Sequence, residues 1–162
     1  MAQTKIFARL KADHDRHRKL LDELDETHGD SPDREKLFEA FRIDVTAHAA
    51  SEEMSLYATM LADSDLRDDA QHSVSEHKEI DDMLTELYEM DFASTGWLTR
   101  FRTMKDRYIH HIDEEEEEMF PAAEKDLSDA KKKELLAIFE KEKPKEKAKA
   151  AAEEPSSEEE RE

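Results

Sequence analysis

Apolar residues return at helical spacing through Ile6, Phe7, Leu10, Leu20, Leu21 and Leu24, then stop at His28-Gly29-Asp30-Ser31-Pro32. Glycine after the last apolar turn, then serine and proline, predicts a helix end and a new helix start. The second predicted helix carries Leu37, Phe38, Phe41, Val45, His48, Glu52 and Leu56 and ends near Ala62. Asp63-Ser64-Asp65 offers N-caps for a third, running through Val74, His77, Ile80, Met83, Leu84 and Leu87. The stretch from Asp91 to Gly96, with Ser94 or Thr95 as cap, separates it from a fourth. That helix carries Trp97, Phe101, Met104, Tyr108, His111 and Glu115 and reaches about Pro121. A shorter fifth helix is expected from Ser128, carrying Leu135, Leu136 and Phe139.

With only two glycines and four prolines in 162 residues, long uninterrupted helices are expected, and the length suits one domain. Charged residues make up 43% and hydrophobic ones 36%, which fits thin helices that each bury one stripe. After Pro144 the chain turns to Lys, Ala, Glu, Pro and Ser with no large apolar side chain. Such a segment buries too little surface to offset the entropy of ordering, so residues 144–162 are expected to form a disordered charged tail behind a folded unit at 1–143. The net charge of −19 argues against nucleic acid and anionic membranes as partners. It leaves room for a protein partner at the acidic surface or tail.

Two segments stand out chemically. His48-x-x-x-Glu52-Glu53-x-x-Leu56-Tyr57 returns 63 residues later as His111-x-x-x-Glu115-Glu116-x-x-Met119-Phe120. His and Glu four residues apart lie on one face of a helix, one turn from each other, and can present a nitrogen and a carboxylate to the same point. Each copy is preceded at 34 residues by another histidine, His14 before His48 and His77 before His111. The same shift of 63 superposes Leu21 on Leu84, Glu23 on Glu86, Leu24 on Leu87 and Phe38 on Phe101. A duplicated helical hairpin explains this, and two hairpins make an up-down-up-down four-helix bundle.

Hairpin geometry tests the idea. In an antiparallel pair, residues equidistant from the turn sit at one height. His14 and His48 centre on residue 31, and His77 and His111 on residue 94; His48 and His77 centre between 62 and 63. Each midpoint falls in a turn placed from Gly, Pro and capping residues alone. The four histidines therefore share one level of the bundle. Glu52 and Glu115 on that level would be costly as bare buried charges, and metal coordination is the usual compensation. Two carboxylates can bridge two ions while the histidines supply two terminal ligands to each. A bridging oxide or hydroxide would bring each ion to about five ligands and leave an octahedral metal an open position. With no cysteine in the chain, sulfur-ligated sites and thiolate chemistry are excluded, and nitrogen–oxygen donors favour iron, manganese or zinc.

Asp13-His14, His48-x-x-x-Glu52-Glu53, Glu76-His77 and His111-x-x-x-Glu115-Glu116 followed by Met119-Phe120-Pro121 resemble the hemerythrin-like (HHE) cation-binding family over about residues 3–125. The resemblance implies a non-haem di-iron centre in a hemerythrin-like bundle, with His14, His48, His77 and His111 as terminal ligands and Glu52 and Glu115 as bridges. Oxygen-carrying members have a fifth histidine one turn before the third-helix ligand. Here that position holds Ser73, while His72 lies roughly 140° from His77 around a helix and faces elsewhere. This departure favours redox chemistry or sensing over reversible oxygen carriage, with a carboxylate or tyrosine left open as a substitute ligand.

The remaining candidates carry less. His110 with Glu114 is a second His-x-x-x-Glu pair, but the repeat register selects His111. His17 could support the site or face solvent, and His28 belongs to a turn. A solvated face accounts for the run Glu114–Glu118 except Glu115, although Glu53 and Glu116 could each hydrogen-bond a ligand histidine on a neighbouring helix. Asp13 and Glu76 are similar supports.

The favoured function is binding or reaction with dioxygen, peroxide or nitric oxide in sensing or stress defence. The alternatives are a peroxide-decomposing or iron-centre-repair enzyme, an iron storage protein and a metal-free interaction module. Ferritin-like proteins use Glu-x-x-His, and no histidine here has glutamate three residues before it. No run approaches the roughly 20 apolar residues of a membrane span. The first residues lack the apolar stretch of a signal peptide, so the cytoplasm is the expected location. A monomer or small homo-oligomer is expected.

Overall fold

The computed structural model describes residues 5–29, 31–153 and 155. Among them all regular structure is helical: α1 (Lys5–Asp25), α2 (Pro32–Glu52), α3 (Ala58–Ala62), α4 (Arg67–Glu89), α5 (Thr95–Glu114), α6 (Phe120–Asp126) and α7 (Asp129–Ala152). Helix α2 runs on into α3, and α5 into α6, each through one π-helical turn, at Glu53–Tyr57 and Glu115–Met119. The long rods α1, α2–α3, α4 and α5–α6 therefore form the expected four-helix bundle.

The turns follow the local chemistry. Gly29 takes a φ of 56°, a left-handed conformation that suits a residue without Cβ. Ser31 then caps α2 by accepting from the Arg34 N–H at 3.1 Å, with Pro32 in the first turn. Ser128 caps α7 the same way through the Lys131 N–H. The start of α4 falls at Arg67, a little beyond the three capping candidates; Asp63 instead accepts the Asp65 N–H and closes the turn.

Two apolar clusters fill the bundle. One gathers Phe7, Leu10, Leu56, Tyr57, Met60, Phe120, Leu135 and Phe139 at one end. The other gathers Leu21, Leu24, Phe38, Phe41, Leu84, Leu87, Trp97, Phe101 and Met104 at the opposite end. Between them lies a buried polar layer that includes Asp13, His14, His17, His48, Glu52, His111 and Glu115. A core interrupted in this way needs the polar layer to be satisfied, since each buried group without a partner is costly.

Helix α7 departs from the sequence expectation. It is not short: it passes through Pro144 to Ala152, so residues 144–152 are helical where a disordered tail was expected. The reason is that α7 docks through polar groups that a search for apolar stripes overlooks. Lys143 is buried, its Nζ lying 2.8 Å from Asp13 Oδ2 and 3.3 Å from Asp44 Oδ1. Lys147 approaches Asp44 at 3.7 Å, and Arg42 donates to the Ala150 carbonyl at 3.3 Å. These anchors lie on both sides of Pro144. The rest of the expected tail, residues 154 and 156–162, lies outside the described residues.

Candidate metal centre

Each of the long rods sends one histidine into the polar layer: His14 from α1, His48 from α2, His77 from α4 and His111 from α5. Glu52 ends α2 and Glu115 begins the second π turn. Two groups of potential ligand atoms result, each within 4.8 Å of one another: His14, His48, Glu52 and Glu115, and then Glu52, His77, His111 and Glu115. Both carboxylates belong to both groups, which is the arrangement two bridging carboxylates require.

The orientation of the imidazoles is set from outside. His14 Nδ1 donates to Glu116 Oε2 at 2.7 Å and His48 Nδ1 to Asp13 Oδ2 at 2.8 Å. His77 Nδ1 donates to Glu53 Oε2 at 3.3 Å and His111 Nδ1 to Glu76 Oε1 at 2.9 Å. With every Nδ1 holding its proton for an outer carboxylate, the Nε2 lone pairs face inward, the tautomer a ligating histidine needs. They lie 3.1 to 3.7 Å from the inner carboxylates: His14 and His111 near Glu115, His48 and His77 near Glu52.

Shifting by 63 residues maps each contact onto another, Asp13–His48 onto Glu76–His111 and Glu53–His77 onto Glu116–His14. The duplication is thus a pseudo-two-fold axis through the site. Glu116, expected as a partner for a ligand histidine on a neighbouring helix, hydrogen-bonds His14 and pairs with Arg18 at 2.9 Å.

Several inward atoms have no partner: Nε2 of His14 and His48, both oxygens of Glu52 and Oε1 of Glu115 are buried without hydrogen bonds. Native cores rarely leave such atoms orphaned. Among the described residues the Ser51 and Ser94 hydroxyls share that status, and the imidazole and carboxylate atoms are the ones that converge. The donor set therefore fits a pair of metal ions.

Burial and mutual proximity also shift the charges of these groups. Burial and the neighbouring Glu115 carboxylate push Glu52 well above its usual range. Burial acts upward on Glu115 too, but the close approach of His14 and the charges of His14 and His111 hold it low. Burial pulls His14 down, yet its contacts to Glu115 and Glu116 outweigh that and raise it to about 9. His48 goes the other way, to about 3, because burial dominates. Without metal, then, His14 keeps its proton at pH 7. The raised His14 stabilises the metal-free fold fully below its unfolded value near 6.5, and this contribution is lost as pH rises through about 9. Metal uptake at pH 7 should release protons, read as a dependence of the calorimetric heat on buffer ionisation enthalpy. Uptake with no such dependence would contradict this charge state.

Two features escape sequence reading. A π turn follows each inner glutamate, shown by i→i−5 bonds from the Ala58 N–H to the Glu53 carbonyl and from the Phe120 N–H to the Glu115 carbonyl. The wider turn brings the residue five after each glutamate back to the same face. Tyr57 thereby donates its hydroxyl to Glu115 Oε2 and stacks on His77, while Phe120 stacks on His14. The repeat placed Tyr57 opposite Phe120 in register, but nothing in an α-helical spacing aims it inward. The second feature is His17, fully buried, with Nε2 donating to Asp44 at 2.6 Å and Nδ1 accepting from the Tyr108 hydroxyl at 2.6 Å. His28, as expected, stays exposed in its turn. Ser73 is buried and its hydroxyl faces Met119 Sδ at 3.8 Å, beside a hollow of about 20 Å³ that His111 and Glu115 also border.

Residues 5–123 match the family model described as Hemerythrin HHE cation binding domain. No curated protein matches the chain. Among solved structures, the chain is similar to the crystal structure of a hemerythrin HHE cation binding domain-containing protein from Mycobacterium kansasii. The TM-score is 0.77 at 24% identity, covering 92% of this chain and 90% of that one, and at that identity the likeness speaks for the fold alone.

Proposed function

The chain belongs to the hemerythrin HHE cation-binding domain family, and on that premise we propose that it holds a pair of iron ions and binds or reacts with dioxygen, peroxide or nitric oxide. His14 and His48 would hold one ion and His77 and His111 the other, with Glu52 and Glu115 available to both. The observation that carries this reading is the set of converging buried nitrogen and oxygen atoms without partners. Iron bound there supplies open coordination and a change of oxidation state. The chain does the rest. Outer carboxylates fix each imidazole, the two apolar clusters keep water away, and Tyr57 holds a hydroxyl proton on Glu115.

Size and polarity support a small reactant on the second-hairpin side. The hollow of about 20 Å³ beside His111, Glu115, Ser73 and Met119 has room for little more than one water-sized molecule. Ser73, in place of a further histidine, supports redox chemistry or sensing over oxygen carriage. With no described helix long and apolar enough to cross a membrane, a cytoplasmic role in stress defence is the reading that fits best.

Protein purified from iron-replete cells should carry two irons per chain and show charge-transfer absorption that changes on adding peroxide or nitric oxide. Rapid, sustained oxygen release from hydrogen peroxide would assign it as a peroxide-decomposing enzyme, and a slow stoichiometric reaction as a binding or sensing module. Protein that holds no metal after iron-replete growth and reconstitution would overturn the proposal.

A further inference from the structure

A further pair of His-x-x-x-Glu segments, His72-x-x-x-Glu76 and His110-x-x-x-Glu114, lies on α4 and α5 at the surface of the second hairpin. The two pairs meet across the seam between these helices. His72 Nε2 is 3.5 Å from Glu76 Oε1 and 3.4 Å from Glu114 Oε1, and His110 Nε2 is 3.2 Å from Glu114 Oε2. One ligand atom from each of His72, Glu76 and Glu114 lies within 4.8 Å of the others. The site is open to solvent: the side chains of His72 and His110 are 56% and 68% exposed. It borders a hollow of about 720 Å³.

The pseudo-symmetry shows what such a cluster replaces. A shift of 63 residues turns His72, Glu76, His110 and Glu114 into Arg9, Asp13, Ala47 and Ser51. In the first hairpin, Asp13 orients His48 while fixed cations hold it, Arg9 at 2.6 Å, Lys143 of α7 at 2.8 Å and, farther off, Arg16 at 3.6 Å. In the second hairpin, Glu76 orients His111 from the corresponding place. Around it stand histidine nitrogens and the Glu114 carboxylate, where the first hairpin has a guanidinium and an ammonium. The nearby Arg107 guanidinium turns to Glu79 at 3.0 Å. Two imidazoles and two carboxylates form a donor set for a borderline divalent ion, whereas magnesium and calcium favour oxygen alone.

We propose that His72, Glu76 and Glu114, joined by His110, bind a further divalent metal ion of the zinc, iron(II) or nickel class at the surface, separate from the buried pair. The ion supplies to Glu76 the positive charge that Arg9 and Lys143 supply to Asp13. Because Glu76 also accepts from His111, occupancy of the surface site weakens the hydrogen bond that orients one buried histidine and so couples the two sites.

The test uses zinc and the full chain. Protein whose buried centre is already filled with zinc is titrated with zinc against a chromogenic chelator, and the imidazole resonances are followed by NMR. One further equivalent should bind and shift the ring signals of His72 and His110. The double variant His72→Ala/Glu114→Gln should lose that equivalent and keep the buried ones. Glu52→Ala, which touches none of the surface ligands, separates this proposal from the buried pair: zinc should still shift His72 and His110 there. Uptake that stops at the buried complement, or a further equivalent that survives the double variant, would overturn the surface site.

Discussion

Replacing Glu115 with alanine is expected to abolish stoichiometric metal loading while leaving the metal-free bundle folded, though less stable than the parent. The first half of this result follows from sharing. Glu115 belongs to both groups of potential ligand atoms, so its loss removes one donor from each ion and one bridge between them. His111→Ala should also abolish loading, although it removes a donor from one group only, because the two ions depend on common bridges. His28→Ala, in an exposed turn, should leave loading intact.

The second half follows from burial. In the metal-free protein Glu115 is a buried carboxylate held low by His14 and His111, so its removal strands the raised His14 and costs stability. The loss of Tyr57's acceptor adds to that cost. The two apolar clusters keep the bundle folded. Metal analysis paired with thermal unfolding of the metal-free variant reads both halves. Full retention of metal would sink the ligand assignment. Lost metal accompanied by a collapsed fold would show Glu115 to be structural instead.

The contrast between these residues and α7 shows what a sequence discloses. The ligand ring was legible because duplication states it twice and because turn chemistry, independent of the histidines, puts all four on one level. The supports Asp13, Glu53, Glu76 and Glu116 were legible as neighbours of ligands, though not who would hold whom. Tyr57 was not, because a π turn changes the helical period without a local composition signal. His17 was undecidable, since one buried histidine looks like an exposed one until its partners Asp44 and Tyr108 are assembled from distant segments. The length of α7 was misread for a related reason. Apolar periodicity detects interfaces built from apolar atoms, and this one is fastened by an ammonium between two carboxylates.

That fastening leads to the second large effect: Lys143→Met should destabilise the protein by about 3 kcal/mol, near the lower end of the cost of breaking a buried ion pair from one side. Lys143 Nζ lies between Asp13 Oδ2 and Asp44 Oδ1, with all three side chains nearly excluded from solvent. Methionine fills much of the same space but leaves two buried carboxylates short of a cation. Arg9 remains on Asp13 at 2.6 Å and Arg16 on Asp44 at 3.2 Å, which is why the lower end is expected.

Acid should narrow the difference. Despite burial, which acts upward, hydrogen bonds and charges from His48 and Lys143 hold Asp13 far below its usual range, and those from His17 and Lys143 do the same for Asp44. Depressed carboxylates contribute stability above their unfolded values, near 4, and lose it as pH falls toward their folded ones. Urea unfolding should therefore show a full gap between parent and Lys143→Met at pH 7 that shrinks progressively below about pH 4. Lys143→Arg, which keeps the charge, should recover most of the loss at pH 7. A gap under about 1 kcal/mol at pH 7, no larger than that of an exposed ion pair, would mean that the ammonium does not hold α7. A gap independent of pH down to the acid limit would assign the effect to packing around Phe139 and not to charge.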